Sequence, residues 1–335
     1  MNNSNTLTRK KNNLMRSQKA LAILIVAALF VFFSIFGKNF LTLDMMDTLL
    51  QSSYFILCIA IGMTFIITSG GIDLSISAVM LTAAITAGVA YNNWGWSIGQ
   101  ALLLLPVITV MFGTLNGFLI AYCKLPAFIA TMGTMMMSQG FSYIISDLKT
   151  MRFPPISDME NGWYKWVFYR TLGGVPVAVF YIIALVLIAI FLMNNTKFGK
   201  YCAAIGSNKE ATRLSGVDVR KWEMLVYIVS GLFTAMGGLF FICVYNAVIP
   251  GTSGGYELNA IAASVIGGTS LAGGEGTVTG TVIGVFIINI LKSGLVTVGL
   301  QQQWQIFFTG LVLVLAVLMD IYRNEKAKRA VKSTQ

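Results

Sequence analysis

The sequence contains no histidine. That absence removes imidazole metal ligands, the base of Ser-His and Cys-His nucleophile pairs, and the histidine proton relay. Acidic residues are also scarce, 13 against 23 basic ones in 335 residues. Charged residues of both signs make up only 11% of the chain, where a soluble domain carries about 25%. Such a chain lacks the polar surface to cover itself in water. The four cysteines, Cys58, Cys123, Cys202 and Cys243, form no CxxC pair. Three of them fall in apolar stretches and read as small buried side chains. With no paired carboxylates, no nucleophile beside a base and no metal-ligand cluster, a membrane-embedded enzyme has nothing to work with, and no cofactor or metal is expected.

What is present is apolar length: 56% of the residues are hydrophobic. A helix crossing a bilayer needs about 20 apolar residues. Ten segments approach or reach that length: Ala20–Gly37, Leu49–Ser69, Leu74–Tyr91, Ile98–Tyr122, Ala127–Ile145, Val175–Met193, Met224–Tyr245, Leu258–Leu271, Thr277–Val298 and Ile306–Ile321. Backbone groups in lipid must pair internally. The expected fold is therefore an all-α membrane protein of about ten transmembrane helices. Leu258–Leu271 and Ile306–Ile321 are short; the first suits a tilted helix or one that continues through glycine-rich backbone. The basic residues before Ala20 resemble the start of a signal peptide. Ala20–Gly37 is long, however, and has no small-x-small cleavage site before Lys38, so it reads as a retained span.

The net charge of +10 is explained by placement. Arg9, Lys10, Lys11, Arg16 and Lys19 precede the first span, and Arg323, Lys326, Lys328, Arg329 and Lys332 follow the last. Basic flanks belong on the cytoplasmic side, so both termini are expected there, which requires an even number of spans. The hydrophilic stretch Asn194–Glu223 then falls inside and adds Lys197, Lys200, Lys209, Arg213, Arg220 and Lys221; Lys124 also falls inside. Seventeen of the 23 basic residues thus share one side. This bias accounts for the charge without nucleic acid as a partner. Residues 1–19 and 323–335 read as cytoplasmic basic tails flanking a transmembrane domain over residues 20–322. The longest outer stretch, Ser146–Gly174, holds Trp163, Tyr164 and Trp166, expected at headgroup level.

Two motifs interrupt the apolar pattern. Ser69-Gly70-Gly71-Ile72-Asp73-Leu74-Ser75 separates the second and third segments. Asp73 or Ser75 could cap the following helix, or the break could line a transport path, because an acid between spans is costly unless paired or wet. The run from Gly267-Gly268 to Gly274-Glu275-Gly276 begins in the last residues of the eighth segment. It fails the dinucleotide pattern, with Thr279 where the last glycine should stand, and no phosphate-binding loop occurs elsewhere. Glycines four apart, Gly276-Gly280-Gly284 and Gly113-Gly117, are expected to let helices approach closely. Asn116, Gln139, Asn246, Asn259, Asn289 and Lys292 lie in or beside spans; the same groups suit interhelical hydrogen bonds or a polar lumen. The two Gly-Gly breaks do not match in a five-plus-five division, so an internal repeat is weakly supported.

Within the inner loop, Ser207-Asn208-Lys209-Glu210 has the form of a capping box, and Gly216 supplies a stop. A helix of about two turns, Asn208 to Ser215, is expected. So short a helix is unstable alone, so it must lean either on this chain or on a cytoplasmic partner.

Four blocks in order resemble the ribose-type branch of bacterial ABC sugar-importer permeases: Gly62–Ser75, Leu125–Thr134, Phe198–Gly216 and Tyr256–Gly274. The likeness runs from about residue 20 to 322. Two positions depart from it: Ser207 stands where a second glycine is usual, and Asn259 where aspartate is common. The resemblance implies a permease subunit, itself no enzyme, that pairs with a second copy or a paralogue. It further implies a periplasmic sugar-binding protein that delivers the solute and a separate ATPase on the inner face. The matching loop, Ala204, Gly206, Ser207, Asn208, Lys209, Glu210, Ala211, Thr212, Arg213, Leu214, Ser215 and Gly216, would be the ATPase-coupling element. Gly70, Gly71, Asp73, Ser75, Asn116, Asn259, Gly267 and Gly268 are the candidates for the translocation path or its helix breaks. A ribose-like monosaccharide is the expected cargo. The alternative, an ion-coupled secondary transporter of a small polar solute, would ordinarily bury several carboxylates or histidines in its spans, and most spans here carry no acid.

Overall fold

The computed structural model describes residues 20–172, 175–252 and 254–332. The expectations for residues 1–19 and 333–335 lie outside this range. The helices are α1 (Ala20–Phe36), α2 (Leu43–Thr68), α3 (Ile76–Asn92), α4 (Ile98–Leu102), α5 (Leu104–Ala121), α6 (Ala127–Ser146), α7 (Trp163–Tyr169), α8 (Val177–Asn195), α9 (Lys197–Ser207), α10 (Lys209–Leu214), α11 (Val219–Val244), α12 (Tyr256–Ile266), α13 (Val278–Thr297) and α14 (Gln302–Lys332). Each of the ten apolar segments carries a helix over most of its length, the fourth α4 and α5 together. Among the described residues, six helices are long and apolar enough to cross a membrane; α1, α3 and α12 are shorter apolar helices. The expected eighth segment is interrupted early: α12 stops at Ile266 and the chain runs on through Gly267 and Gly268 without helix. At the end of the chain, α14 carries helix through 323–332, the first part of the segment read as a tail.

Helix α2 is the hub. Every residue from Ser53 to Thr68 is buried, as expected of a helix apolar on all sides. Phe55 meets Phe241 of α11 edge-on at 5.2 Å. Thr64 joins Ser264 of α12 at 3.1 Å and Thr281 of α13 at 2.6 Å through their hydroxyls, and Asn289 of α13 donates to Ser53 at 2.8 Å. Small residues let the other helices close in. A Cβ on Gly113 would lie 2.6 Å from the Tyr227 carbonyl oxygen, and one on Gly280 would collide with the Gly267 carbonyl. The expected glycine spacings therefore mark the close α5–α11 and α12–α13 contacts.

The ends of the bundle are tied separately. At one, Gly274 N–H donates to the Thr68 carbonyl at 2.9 Å, and Leu271 N–H to Asp320 of α14 at 3.2 Å. At the other, Lys38 N–H donates to Thr297 O at 2.8 Å. There β1 (Met151–Arg152) also pairs antiparallel with β4 (Ala247–Val248), while β2 (Thr171–Leu172) pairs with β3 (Val175–Pro176). Trp163 and Trp166 of α7 are exposed, whereas Tyr164 is turned inward, its hydroxyl donating to Pro154 O at 3.1 Å. Lys165 beside it is buried and donates to Asn246 Oδ1, and burial pulls its ammonium pKa below the ordinary lysine value.

Candidate functional site

Three glycine-bearing segments far apart in sequence meet at the first of these ends. The break after α2, the last turn of α9 and the loop before α13 touch through their backbones. A Cβ on Gly206 would fall on the Thr68 carbonyl oxygen and 2.5 Å from the Gly274 nitrogen. One on Gly273 would lie 2.8 Å from Gly206 O and 3.1 Å from Gly70 Cα. No side chain fits between these strands of backbone, so the three segments are locked as one junction.

From that junction α9 leads directly into α10. Helix α9 lays Phe198, Cys202 and Ile205, spaced one turn apart, against the bundle; Phe198 meets Phe65 of α2 at 5.2 Å. The cap and stop residues do not mark this helix; the spacing of Phe198, Cys202 and Ile205 is the signal in the sequence that identifies it. Because α9 stays helical through Ser207, the expected capping box is displaced by one residue. Ser207 belongs to the end of α9, and Asn208, extended at φ −161°, ψ 99°, is the N-cap of α10. Its side chain accepts from Ala211 N–H at 2.9 Å. Asn and Ser cap about equally well, so the packing of α9 decides between them. Glu210 does not reach back; it pairs with Arg213 at 2.6 Å on the open face, which holds its carboxyl below the usual range. Gly216, at φ +82°, ends the helix as expected, its N–H on Arg213 O at 3.0 Å.

One side of α10 is fastened to this chain and the other faces outward. Thr212 is buried, and Lys209 Nζ bonds both oxygens of Glu223 on α11, at 2.7 and 2.8 Å. Ala211, Arg213, Ser215 and Gly216 are exposed, and Leu214 is 74% exposed at the tip. Lys209→Met leaves Glu223, whose side chain is 11% exposed, without its cation. The expected loss is about 1 kcal/mol, well below the cost for a fully buried pair because the Lys209 head is half solvated; thermal unfolding in detergent measures it.

The path candidates separate into two groups. Asp73, Ser75 and Asn116 come together. Asp73 Oδ1 accepts from Ser75 N–H at 2.8 Å and from its hydroxyl at 2.6 Å; Asn116 donates to Ser75 at 2.9 Å and accepts from Thr134 at 2.6 Å. Ser75 precedes α3, but its side chain makes no cap bond. Asp73 therefore organises the turn before α3. These groups line a cavity of about 10 Å3 shared with Tyr227 and Ser230, whose hydroxyls have no protein partner. That is room for one water, against the roughly 300 Å3 and more of a ligand pocket. Asn259 stands apart, buried on α12; Gly267 and Gly268 are buried, Gly267 against Gly280 of α13.

Fold and site define a helical membrane protein with a fastened, outward-facing helix at one end and, among the described residues, no cluster of side chains that could hold a metal ion. The family model described as branched-chain amino acid transport system / permease component matches residues 45–317, and the chain belongs to that family. It is a sugar-type ABC importer permease of the bacterial inner membrane. It is 33% identical to the ribose import permease protein RbsC of Escherichia coli K12, over 92% of this chain and 94% of that one. Identity to the L-arabinose transport system permease protein AraH of the same organism is 36%, over 92% of each chain. With its galactose/methyl galactoside import permease protein MglC it is 31%, over 91% and 94%. No solved structure matches.

Proposed function

We propose that this chain is the membrane-spanning half of an ATP-driven monosaccharide importer, and that α10 is where a separate ATPase docks. One observation carries the reading. A six-residue helix too short to stand alone is capped by Asn208, fastened by Lys209, and points Leu214 outward. Its root is clamped to both glycine breaks, so a push on α10 reaches α2, α12 and α13 without slack. Ten spans with both termini in the cytoplasm suit this arrangement. The breaks after α2 and α12, the α9–α10 loop and Asp320 share one end of the bundle, as an even count requires. The loops after α1, α6, α11 and α13 share the other.

In this mechanism the ATPases close on two such helices, one from each of two permease copies, and the bundles rock to alternate access. A periplasmic sugar-binding protein delivers a pentose or hexose to the outer loops, with ribose the first choice. The permease supplies no covalent chemistry. The test is reconstitution in proteoliposomes with labelled D-ribose, L-arabinose and D-galactose. Uphill uptake is expected only with ATP, the ATPase and the binding protein together. Concentrative uptake by the chain alone, driven by a proton or sodium gradient, would overturn the reading in favour of ion coupling.

A further inference from the structure

Glu257 is an acid outside the candidate positions above, and its position is unusual. It lies in the first turn of α12, yet it is level with the middle of the bundle rather than an end. Tyr256 beside it packs edge-on against Phe55, midway along α2, at 5.2 Å. Ser77, in the first turn of α3, donates its hydroxyl to Glu257 Oε2. Helix α3 also starts inside the bundle. A Cβ on Gly237 of α11 would sit 3.2 Å from Met80 Sδ and from Ile59 Cγ2 and 3.3 Å from the Phe55 carbonyl, which sets the start of α3 beside the same stretch of α2. Two interrupted helices, one entered from each end, thus meet at Ser77 and Glu257.

The carboxylate is under-used where it sits. Gly255 N–H donates to Oε1 at 3.1 Å and Ser77 to Oε2. An ionised carboxylate has about four acceptor sites, so two remain. No described basic side chain is ion-paired with it. Asn259, two residues on, is an amide. Glu257 is only half-buried, unlike Asp73 with its sealed cluster, and Leu258 next to it is exposed. A carboxylate at this depth is costly unless it lines a wet space or meets a partner. Non-helical backbone, as precedes Gly255 here, is tolerated at depth only when buried or lining a cavity.

We propose that Glu257 is a solute-contact residue, its two free acceptor sites taking a pair of neighbouring hydroxyls from a polyol such as a monosaccharide, with Ser77 holding the carboxylate in place. The inference rests on the transport reading above and deepens it. The test uses the complete reconstituted complex and labelled D-ribose, L-arabinose and D-galactose, with Glu257→Gln, which keeps the shape, and Ser77→Ala. Glu257→Gln is expected to cut uptake about tenfold, the worth of hydrogen bonds to a charged acceptor. Complex assembly and ATP hydrolysis stimulated by the binding protein should stay near wild type, so more ATP is consumed per sugar. Ser77→Ala should give a smaller loss of the same kind. Uptake by Glu257→Gln at the wild-type rate overturns the inference alone. So does a parallel loss of assembly and ATP hydrolysis, which would make the pair a structural brace. Failure of the wild-type complex to take up any of the three sugars with ATP overturns the transport reading, and the inference falls with it.

Discussion

Gly206→Val is expected to abolish ATP-driven uptake and to destabilise the protein by about 1–3 kcal/mol, the range for forcing bulk into a packed interior. The added Cβ would land on the Thr68 carbonyl oxygen and against the Gly274 amide, which form a hydrogen bond at 2.9 Å between them. Backbone cannot swing aside as the end of a flexible side chain can. Either the bond breaks or α9 lifts from α2, and both separate α10 from the segments it is proposed to drive. Thermal unfolding and uptake should therefore fall together. Gly310→Ala on α14 is the control, since a Cβ there meets nothing within 4 Å and alanine is the better helix former. If Gly206→Val keeps wild-type uptake, the junction does not transmit motion.

Much of the architecture was legible because lipid imposes simple rules. Segments such as Met224–Tyr245 had to be helical, and Gly276-Gly280-Gly284 had to face a close neighbour. The short helix after residue 207 was legible from its cap and stop residues, but its first residue was not. Ser207 and Asn208 are adjacent and equally fit to cap, and only the burial of Phe198, Cys202 and Ile205 along α9 settles which one does. The three-way junction was invisible for a related reason. Gly70, Gly206 and Gly273 each read locally as a turn or break, and nothing in one sequence says that three breaks share a site. Depth was hidden too. Asp73 lies beside apolar runs and reads as a cap or a path residue alike, and nothing marks Glu257, because the sequence does not tell that α3 and α12 begin inside the bundle. Asn116 and Asn289 suit a lumen and interhelical bonding alike in the sequence; in the fold they donate to Ser75, just before α3, and to Ser53 of α2.

The second large effect is expected at the tip of α10. Leu214, in the segment proposed to couple to the ATPase, is 74% exposed. An apolar side chain held in water on an anchored helix is suited to fill a pocket on a partner, and burying a leucine is worth about 1.5–3 kcal/mol. Leu214→Glu removes that gain and puts a charge where a pocket would have to desolvate it. The affinity for the ATPase should fall about 10- to 100-fold, since each 1.4 kcal/mol is a factor of ten. The melting point of the permease alone should not move. Asn208→Ala approaches the same interface from within: loss of the cap costs the helix about 1 kcal/mol, so docking should weaken less than for Leu214→Glu, and more at higher temperature as the short helix frays. Ser207→Ala, which a capping box beginning at residue 207 would make damaging, should leave docking intact because that hydroxyl caps nothing. Affinity capture of the ATPase by each variant ranks the three. Undiminished capture by Leu214→Glu would show that the ATPase grips the permease elsewhere, and the outward face of α10 would lose its assigned role.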